Sequence, residues 1–387
     1  MAWCDGIADK APGKLVKTTD GARAFLPDPL PRGLELTADL HRLVATARSR
    51  LGILEGIGSL STNPMFFVRS LQTREAAASS RIEGTKTTNE EALAHQVAHV
   101  ETPHESDAKE VSNYLRALQQ GVSAISKGRR LNRGLLLELH QTLLAGVRGQ
   151  ATQPGKLRDV QNFVGVSESI HEARFVPPPA IHVQDCIETL QKYLDEGSAD
   201  DPIVRAALVH YQFETIHPFE DGNGRIGRLL VAVQTIQEGL QQQPLLYVSS
   251  RLEANRQEYY DRMLSVSLKG DFLGWVEFFV RAMIGAAEET TDKIRRLVGK
   301  MREFRAKLAS SNSPGPARLL EKLEEYPFIT VQRAQAFLKN SAGSTADAIA
   351  ALEECGILAR GKFKIQSRGR GRPPILYYCP EILKILR

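Results

Sequence analysis

The chain has 387 residues, of which 42% are apolar and 25% charged, so collagen-like and largely disordered classes are excluded and two or three globular domains are expected. The net charge of +5 is unevenly distributed. Residues 301–387 hold 15 basic and 8 acidic side chains, whereas the first 300 residues hold 35 and 37. The positive charge therefore lies near the C-terminus, which indicates an anionic partner there.

Cysteine use and hydropathy bear on the cellular compartment. The four cysteines include no CxxC pair, and the N-terminal residues contain no apolar run that resembles a signal peptide. No stretch approaches 18 uncharged apolar residues, so the sequence predicts no membrane span and no membrane partner. We therefore expect reduced thiols in a cytoplasmic protein.

Helical periodicity dominates most of the chain. Residues 1–34 are rich in Gly, Pro and Asp, and we predict an irregular N-terminal arm there. Apolar residues then recur at helical spacing in 36–54, 65–80, 89–99, 108–126, 131–144, 183–194, 201–215 and 225–238. The sequence predicts a mainly α fold, with an N-terminal helical region at 35–115 and a core at 116–290. Few stretches alternate with period two, the clearest near residues 174–176, so we expect one small β-hairpin.

The C-terminal part has a different pattern. A connecting helix and a Ser/Pro-containing linker are predicted at 291–312. Beyond it, residues 313–387 contain three short helical segments (317–323, 330–338 and 344–355) and then two strand-like segments (357–365 and 375–378). That order is typical of a winged helix-turn-helix domain.

The predicted wing carries the arginines of an Arg-Gly-Arg-Gly-Arg-Pro sequence, which are Arg368, Arg370 and Arg372. Arginines at such a tip can contact DNA phosphates or the minor groove. The predicted recognition helix at 344–355 has small and acidic residues that suit base contacts poorly. DNA binding and protein contacts or dimerisation are therefore both open interpretations.

The densest polar cluster is HPFEDGNGRIGR at residues 217–228, between two predicted helices. Its two glycines, Gly222 and Gly224, let backbone N–H groups approach an anion, and the next helix presents its N-terminus there. A dinucleotide-binding G-x-G-x-x-G motif is the rival interpretation, but it requires a preceding strand. The segment before this motif is helical, so we favour a phosphate-binding loop.

The charged residues of the cluster supply further chemistry. Arg225 and Arg228 lie three residues apart on one side of the helix and can bind phosphate oxygens. Asp221 offers an oxygen ligand suited to Mg²⁺. His217 has the side chain that most readily removes a proton near neutral pH. A phosphate cradle, a metal ligand and a base are thus predicted within twelve residues.

HPFEDGNGR, followed by two residues and Arg228, resembles the signature of the Fic family, and the similarity extends from about Leu30 to Met283. The resemblance implies a helical enzyme that transfers AMP from ATP to a protein hydroxyl, with Mg²⁺. His217 would deprotonate the target Ser, Thr or Tyr, and Asp221 would hold Mg²⁺. The phosphate contacts it implies are Asn223 and the loop amides at Gly222 and Gly224 for the α-phosphate, Arg225 for the β-phosphate and Arg228 for the γ-phosphate.

A second resemblance lies upstream, where the sequence from Ser79 to Gly84 is similar to the family's inhibitory motif, [S/T]-x-x-x-E-[G/N]. It implies that Glu83 pairs with Arg228 in the γ-phosphate site, so that ATP binds in a non-productive pose, and that Ser79 fixes the inhibitory helix. The residues alone also allow an ordinary helix end, because Gly often follows a helix.

A third resemblance concerns a flap, a hairpin that lies beside the active site in the family. Its exposed edge would hold a segment of the target protein as an added strand. The corresponding residues here are Lys156, Val160, Gln161, Asn162, Phe163, Arg174, Phe175 and Val176. An ordinary surface hairpin is the alternative.

Together the residues and the resemblance predict a self-inhibited protein adenylyltransferase that modifies another protein or itself. Two alternatives stay open: a DNA-binding regulator with a Fic domain, and an enzyme of the same fold that removes AMP, with Glu83 positioning a water. A homodimer is a further expectation, because related proteins often dimerise. His95 and His99 have metal-ligand spacing, but the Glu of H-E-x-x-H is missing, so we interpret them as an ordinary pair.

Overall fold

The computed structural model describes residues 3–60, 65–98, 100–101, 104–147, 153–165, 169–196, 199–309, 313–361, 363–365 and 374–387. The chain forms two compact units, and each unit is built from two separate stretches. The first comprises Met1–Gly52 and Arg116–Ala286, and the second comprises Ile53–Leu115 and Ala287–Arg387. Residues 53–115 thus group with the C-terminal residues, a long-range relationship for which the sequence offered no local signal.

The prediction that residues 1–34 are irregular is wrong in one respect, because these residues contain an antiparallel hairpin. The hairpin consists of β1 (Gly13–Lys17) and β2 (Arg23–Pro27), with Leu15 opposite Phe25. Phe25 is fully buried, and its N–H donates to the carbonyl of Val176 (2.9 Å). Asp20 and Gly21 lie in the turn between the strands, where Gly21 has a φ of 78°. Burial of the apolar strand residues therefore outweighs the loop-like composition.

The mainly helical prediction is confirmed. The helices of the described residues are α1 (Ala38–Leu60), α2 (Met65–Ile82), α3 (Asn89–His95), α4 (Glu105–Ser126), α5 (Arg133–Leu143), α6 (Ala180–Glu196), α7 (Pro202–Ile216), α8 (Asn223–Gln237), α9 (Ser249–Ala254), α10 (Arg256–Lys269), α11 (Phe272–Lys307), α12 (Pro314–Glu325), α13 (Val331–Leu338), α14 (Ala342–Glu354) and α15 (Pro380–Leu386). Over the ranges that the structure describes, none of them combines the length and apolar character needed to cross a membrane.

The core of the first unit surrounds α7 and α8, which pack against each other. His210 of α7 is fully buried there; its Nδ1 donates to the carbonyl of Gly227 (3.1 Å) and its Nε2 accepts from the hydroxyl of Tyr259 (2.8 Å). Burial lowers the pKa of His210 to about 3, so the ring is neutral. Trp275 donates its indole N–H to the Ala207 carbonyl (2.8 Å). These contacts fix the two helices that carry the polar cluster at residues 217–228.

The second unit contains a small sheet beside its C-terminal helices. The strands are β3 (Phe328–Thr330), β4 (Ala359–Arg360) and β5 (Leu376–Tyr378), and they pair antiparallel in the order β3–β5–β4. Three helices and a strand pair were predicted for this region, whereas β3, only three residues long, was missed. Assignment as a winged helix-turn-helix stays a prediction. Arg368, Arg370 and Arg372 lie outside the described residues.

Candidate active site

His217 stands at the end of α7. Asp201 caps the start of this helix, because its carboxylate accepts the N–H of Ile203 (2.9 Å), and Pro202 is the first helical residue. His217 adopts the left-handed conformation (φ 48°, ψ 61°), which is uncommon for a residue other than glycine and turns the chain sharply out of the helix. Its Nδ1 bonds to the Glu214 carbonyl (3.2 Å) and must carry the proton, because a carbonyl only accepts. In the neutral ring, Nε2 is therefore the basic nitrogen.

Asn223 closes the loop that follows His217. Its side-chain Oδ1 accepts the N–H of Phe219 (2.8 Å), and its Nδ2 donates to the carbonyl of the same residue (2.7 Å). Phe219 itself is fully buried. Asn223 thus holds the loop in shape, a role that the sequence did not indicate, and its contact with an α-phosphate stays a prediction.

Gly222 leads directly into α8. Its backbone is left-handed (φ 80°, ψ 4°), and no side chain caps the helix that begins at Asn223. Without a capping side chain, the first-turn N–H groups and the helix dipole favour an anion at this end. An added Cβ at Gly222 would lie 3.3 Å from a methyl carbon of Leu143, so glycine suits both the conformation and the space. Gly224 is buried in the first turn.

The two arginines of α8 are almost completely buried. Arg228 is 1% exposed, and the Arg225 side chain is 4% exposed. The Arg225 Nη2 lies 3.3 Å from both carboxylate oxygens of Asp221, whose side chain is 43% exposed. The guanidinium is therefore fixed inside the unit while the carboxylate reaches the surface. The arginines thus supply buried positive charge next to the helix N-terminus, and the exposed carboxylate is accessible to a cation.

Asp221 is also the residue that could hold a cation. The described residues contain no cluster of three or more His, Cys, Asp or Glu side chains that would enclose a metal ion. Mg²⁺ commonly binds through one or two carboxylates together with substrate phosphates and water. A single half-exposed carboxylate at an anion-binding loop fits that mode, so the donor set is compatible with Mg²⁺ that arrives with a nucleotide.

His140 of α5 supports the loop and was missed from the sequence. Its Nδ1 accepts the N–H of Gly155 (2.9 Å), and its Nε2 donates to the Asp221 carbonyl (3.0 Å). Burial lowers its pKa to about 4, so the ring is neutral. The one sequence signal was a polar residue on the apolar face of a helix, between Leu136 and Leu143.

The predicted flap differs from a regular hairpin. Within the described residues its two arms meet in one antiparallel bridge, in which the Val164 N–H donates to the Phe175 carbonyl (2.8 Å). The prolines at 177–179 have no N–H to donate, which ends the pairing on that side. The two-stranded sheet of this unit is instead β1–β2, which packs on Ala173 and Val176 of the flap.

Most flap side chains make internal contacts. Gln161 donates to the Pro177 carbonyl (3.2 Å), and Asn162 donates to the Phe219 carbonyl (2.9 Å). Arg174 forms an ion pair with Asp261 (2.6 Å), and the Phe175 ring meets the Trp3 ring edge-on, with the centroids 5.0 Å apart. Phe163 packs against the apolar cluster that joins the flap to the β1–β2 hairpin. Lys156 and Val160 are exposed. Target docking on the flap stays a prediction.

The predicted inhibitory residues lie at the end of α2. Ser79 is fully buried, and the turn after the helix is closed by hydrogen bonds from Glu83 N–H to Ser80 (3.0 Å) and from Gly84 N–H to Arg81 (3.0 Å). Gly84 has a φ of 98°, which glycine adopts readily. Glu83 belongs to the second unit and Arg228 to the first, so their ion pair stays a prediction.

Comparison with known proteins adds independent information. Two family models match the chain, "Fic/DOC family N-terminal" at residues 41–123 and "Fic/DOC family" at residues 130–235. "Protein adenylyltransferase fic-1" of Caenorhabditis elegans is 28% identical over 195 residues, which is 49% of this chain and 34% of that protein. "Protein adenylyltransferase Fic" of Drosophila melanogaster is 28% identical over 204 residues, which is 49% of this chain and 37% of that protein. The chain thus matches little more than a third of these relatives.

Solved structures resemble this chain in fold. A Fic family protein from Desulfovibrio desulfuricans G20 has a TM-score of 0.56 and 21% identity, and the match covers 90% of this chain and 98% of that one. Fic-1 from C. elegans has a TM-score of 0.51 and 23% identity, with 68% of this chain and 74% of that one covered.

Proposed function

The chain belongs to the Fic family, and from that premise we propose that it is a protein adenylyltransferase, which moves AMP from ATP to a hydroxyl side chain of a protein. One observation carries the proposal: residues 217–228 combine a basic histidine nitrogen, an uncapped helix N-terminus and two buried arginines in a single loop and helix. Relatives named protein adenylyltransferases support it over about half of the chain.

The proposed reaction is a single displacement at the α-phosphorus. The target hydroxyl oxygen attacks, the bond to the β-phosphate oxygen breaks, and pyrophosphate leaves. The hydroxyl proton passes to Nε2 of His217, for which the Nδ1 bond to Glu214 selects the correct tautomer. Such a transfer requires positioning and charge neutralisation more than covalent help.

The phosphate charges are met by residues of α8. Arg225 and Arg228 supply guanidinium groups, and the first-turn N–H groups of the helix supply dipoles. Mg²⁺ held by Asp221 would neutralise charge on the phosphates and stabilise the leaving pyrophosphate. ATP and Mg²⁺ are therefore the proposed ligands of this loop.

We further propose that Glu83 restrains this activity by pairing with Arg228, with Ser79 fixing the helix that presents it. Arg228 is buried, so a carboxylate that reached its guanidinium would compete with a γ-phosphate for the same donors. Glu83 and Ser79 lie at the end of a helix packed on α3, α12 and α15 of the second unit. Ordered packing of that kind is what an inhibitory helix requires.

Two labels on ATP test the reaction. The protein and its Glu83→Gly variant are incubated with Mg²⁺ and with α-labelled or γ-labelled ATP. Label in protein from the α-position only, absent in the His217→Ala, Glu83→Gly double variant, is the expected result. Label from the γ-position would instead indicate a kinase, and no label from either position in any variant would contradict the proposal.

The partners of residues 313–387 stay predictions. Duplex DNA binding is tested by an electrophoretic shift at 50 and 200 mM salt, where contacts with phosphates predict a steep loss of affinity. The oligomeric state is tested by light scattering at several concentrations.

A further inference from the structure

We propose that Arg158, at the start of the flap, is a positioning residue that fixes the backbone of His217 for adenylyl transfer. The inference rests on the proposed function, and it assigns a role to a residue outside the HPFEDGNGR loop. Arg158 touches no group that would react, so its influence on the reaction passes through the main chain around His217.

The Arg158 guanidinium bonds to backbone carbonyls of both arms of the flap and of the C-terminal end of α7. The acceptors are those of His217 (2.8 Å from Nε), Val160 (3.0 Å from Nη1), Pro178 (2.6 Å from Nη2) and Ile216 (3.4 Å from Nη2). In addition, its own backbone N–H donates to the carbonyl of Pro218 (2.9 Å). One side chain thus joins the two arms of the flap to the C-terminal end of α7.

The charge of Arg158 is unusual for its burial. The residue is 4% exposed, and among the described residues no carboxylate lies within ion-pair distance of it. Burial lowers its pKa to about 10, so it remains charged at neutral pH. A buried charge is costly unless polar groups compensate it, and here carbonyl dipoles do so. A planar fork of five N–H donors suits several carbonyls at once, which a lysine ammonium does not.

Arg158 bonds to the loop backbone at His217, which has an unfavourable conformation. His217 occupies the left-handed conformation, which is unfavourable for a non-glycine residue and persists only where surrounding contacts fix it. From the same segment, Asn162 donates to the Phe219 carbonyl (2.9 Å). Two flap residues therefore position the chain on either side of Pro218, and with it the imidazole.

This arrangement predicts a separation of binding and catalysis. The arginines proposed as phosphate ligands lie on α8, and among the described residues Arg158 makes no hydrogen bond to that helix. Loss of the guanidinium should therefore slow proton removal and attack without weakening ATP binding. A displacement of the reacting groups by about 1 Å can lower a rate by about 100-fold.

The test compares Arg158→Met and Arg158→Lys with a control, Arg205→Met, all in the Glu83→Gly background. Arg205 is also a buried arginine of the first unit, but it pairs with Glu238 (3.1 Å) and lies near the start of α7. Auto-modification with α-labelled ATP gives the maximal rate and the half-saturating ATP concentration. We expect Arg158→Met to lower the rate about 100-fold and change half-saturation less than about 3-fold, with partial recovery in Arg158→Lys.

A spectroscopic measurement makes the proposal testable without turnover. In histidine-labelled full-length protein, the resonances lost in His217→Ala identify the His217 ring. They should shift in Arg158→Met and stay in place in Arg205→Met. An unmoved His217 signal in Arg158→Met, or an equal rate loss in Arg205→Met at equal melting temperature, would overturn the proposal. Absence of AMP transfer in every variant counts against the proposed function alone, and the His217 signal then decides the role of Arg158.

Discussion

The imidazole ring of His140 stacks on the phenyl ring of Phe219, with the ring centroids 3.7 Å apart and an angle of 6° between the planes. The same imidazole bonds to the Asp221 carbonyl and to the Gly155 N–H. One buried histidine on α5 thus supports an apolar and a polar part of the loop at once.

Replacement of His140 by Phe separates these two contributions. The ring stack is preserved, whereas the Asp221 carbonyl and the Gly155 N–H lose their partner. An unsatisfied buried polar group costs about 1–3 kcal/mol, so we expect a loss of that size in the free energy of unfolding, measured by urea denaturation. His41→Phe, on an exposed position of α1, is the control and should change little. Equal stabilities of the two variants would show that the hydrogen bonds of His140 contribute nothing.

Stability should also depend on pH through buried histidines. The pKa of His140 is lowered by burial to about 4, and that of His210 to about 3. Below the ordinary histidine pKa of about 6.5, the unfolded chain binds protons that the folded rings do not, so stability falls as the pH decreases. For His140 the loss is roughly 2 kcal/mol at pH 5. Melting temperatures from pH 7 to 5 should fall less steeply in His140→Phe than in the parent; parallel curves would contradict the assignment.

The sequence predicted the loop at residues 217–228 better than the residues that hold this loop in place. The break between α7 and α8 and the acid, amide and arginines of 217–228 follow from local patterns, because Pro218 and Gly222 interrupt helices. By contrast, Arg158 and His140 act on residues 59 and 81 positions away, and no local periodicity records such contacts. The hairpin β1–β2 was missed for a similar reason, because its formation depends on burial of Phe25 against residues that are distant in the sequence.

Gly222→Ala and Gly52→Ala should have opposite effects. Gly222 needs a left-handed backbone that costs alanine about 1–2 kcal/mol, and its Cβ would press on Leu143. Gly52 occupies an exposed position of α1 with nothing within 4 Å of an added Cβ, so alanine should stabilise that helix by up to about 1 kcal/mol. Differential scanning calorimetry of both variants measures whether the melting temperature falls in Gly222→Ala and rises in Gly52→Ala. A Gly222→Ala protein as stable as the parent would show that the loop tolerates another backbone conformation.

Glu83→Gly should increase auto-modification if Glu83 occupies the γ-phosphate position. The variant removes a carboxylate and leaves the helix α2 intact, because the residue lies one position beyond its end at Ile82. We expect a rate increase of at least 10-fold, which corresponds to about 1.4 kcal/mol of released inhibition. Glu90→Gln, which removes an ion pair with the exposed Arg387 (2.7 Å), is a control that should leave the labelling unchanged. Equal incorporation from α-labelled ATP in Glu83→Gly and the parent would refute the inhibitory role.

Inhibition should also weaken when α2 is loosened from the C-terminal part of its own unit. Arg69 of α2 and Arg333 of α13 lie over the ring of Tyr326, at 4.7 and 4.5 Å from its centroid, and Ser70 donates to the Glu325 carbonyl (3.4 Å). Each cation–π contact contributes about 0.5–1 kcal/mol at a partly exposed site.

Tyr326→Ala removes the ring that both arginines share, so α2 should hold Glu83 less firmly and auto-modification should rise part of the way toward the Glu83→Gly level. Tyr326→Phe keeps the ring and serves as the control, with labelling close to that of the parent. Addition of Tyr326→Ala to Glu83→Gly should give no further increase, because the same restraint is already removed. If Tyr326→Ala labels no faster than the parent while Glu83→Gly does, the C-terminal residues do not hold the inhibitory helix. A further rise in the double variant would show that Tyr326 acts on the rate by a route other than Glu83.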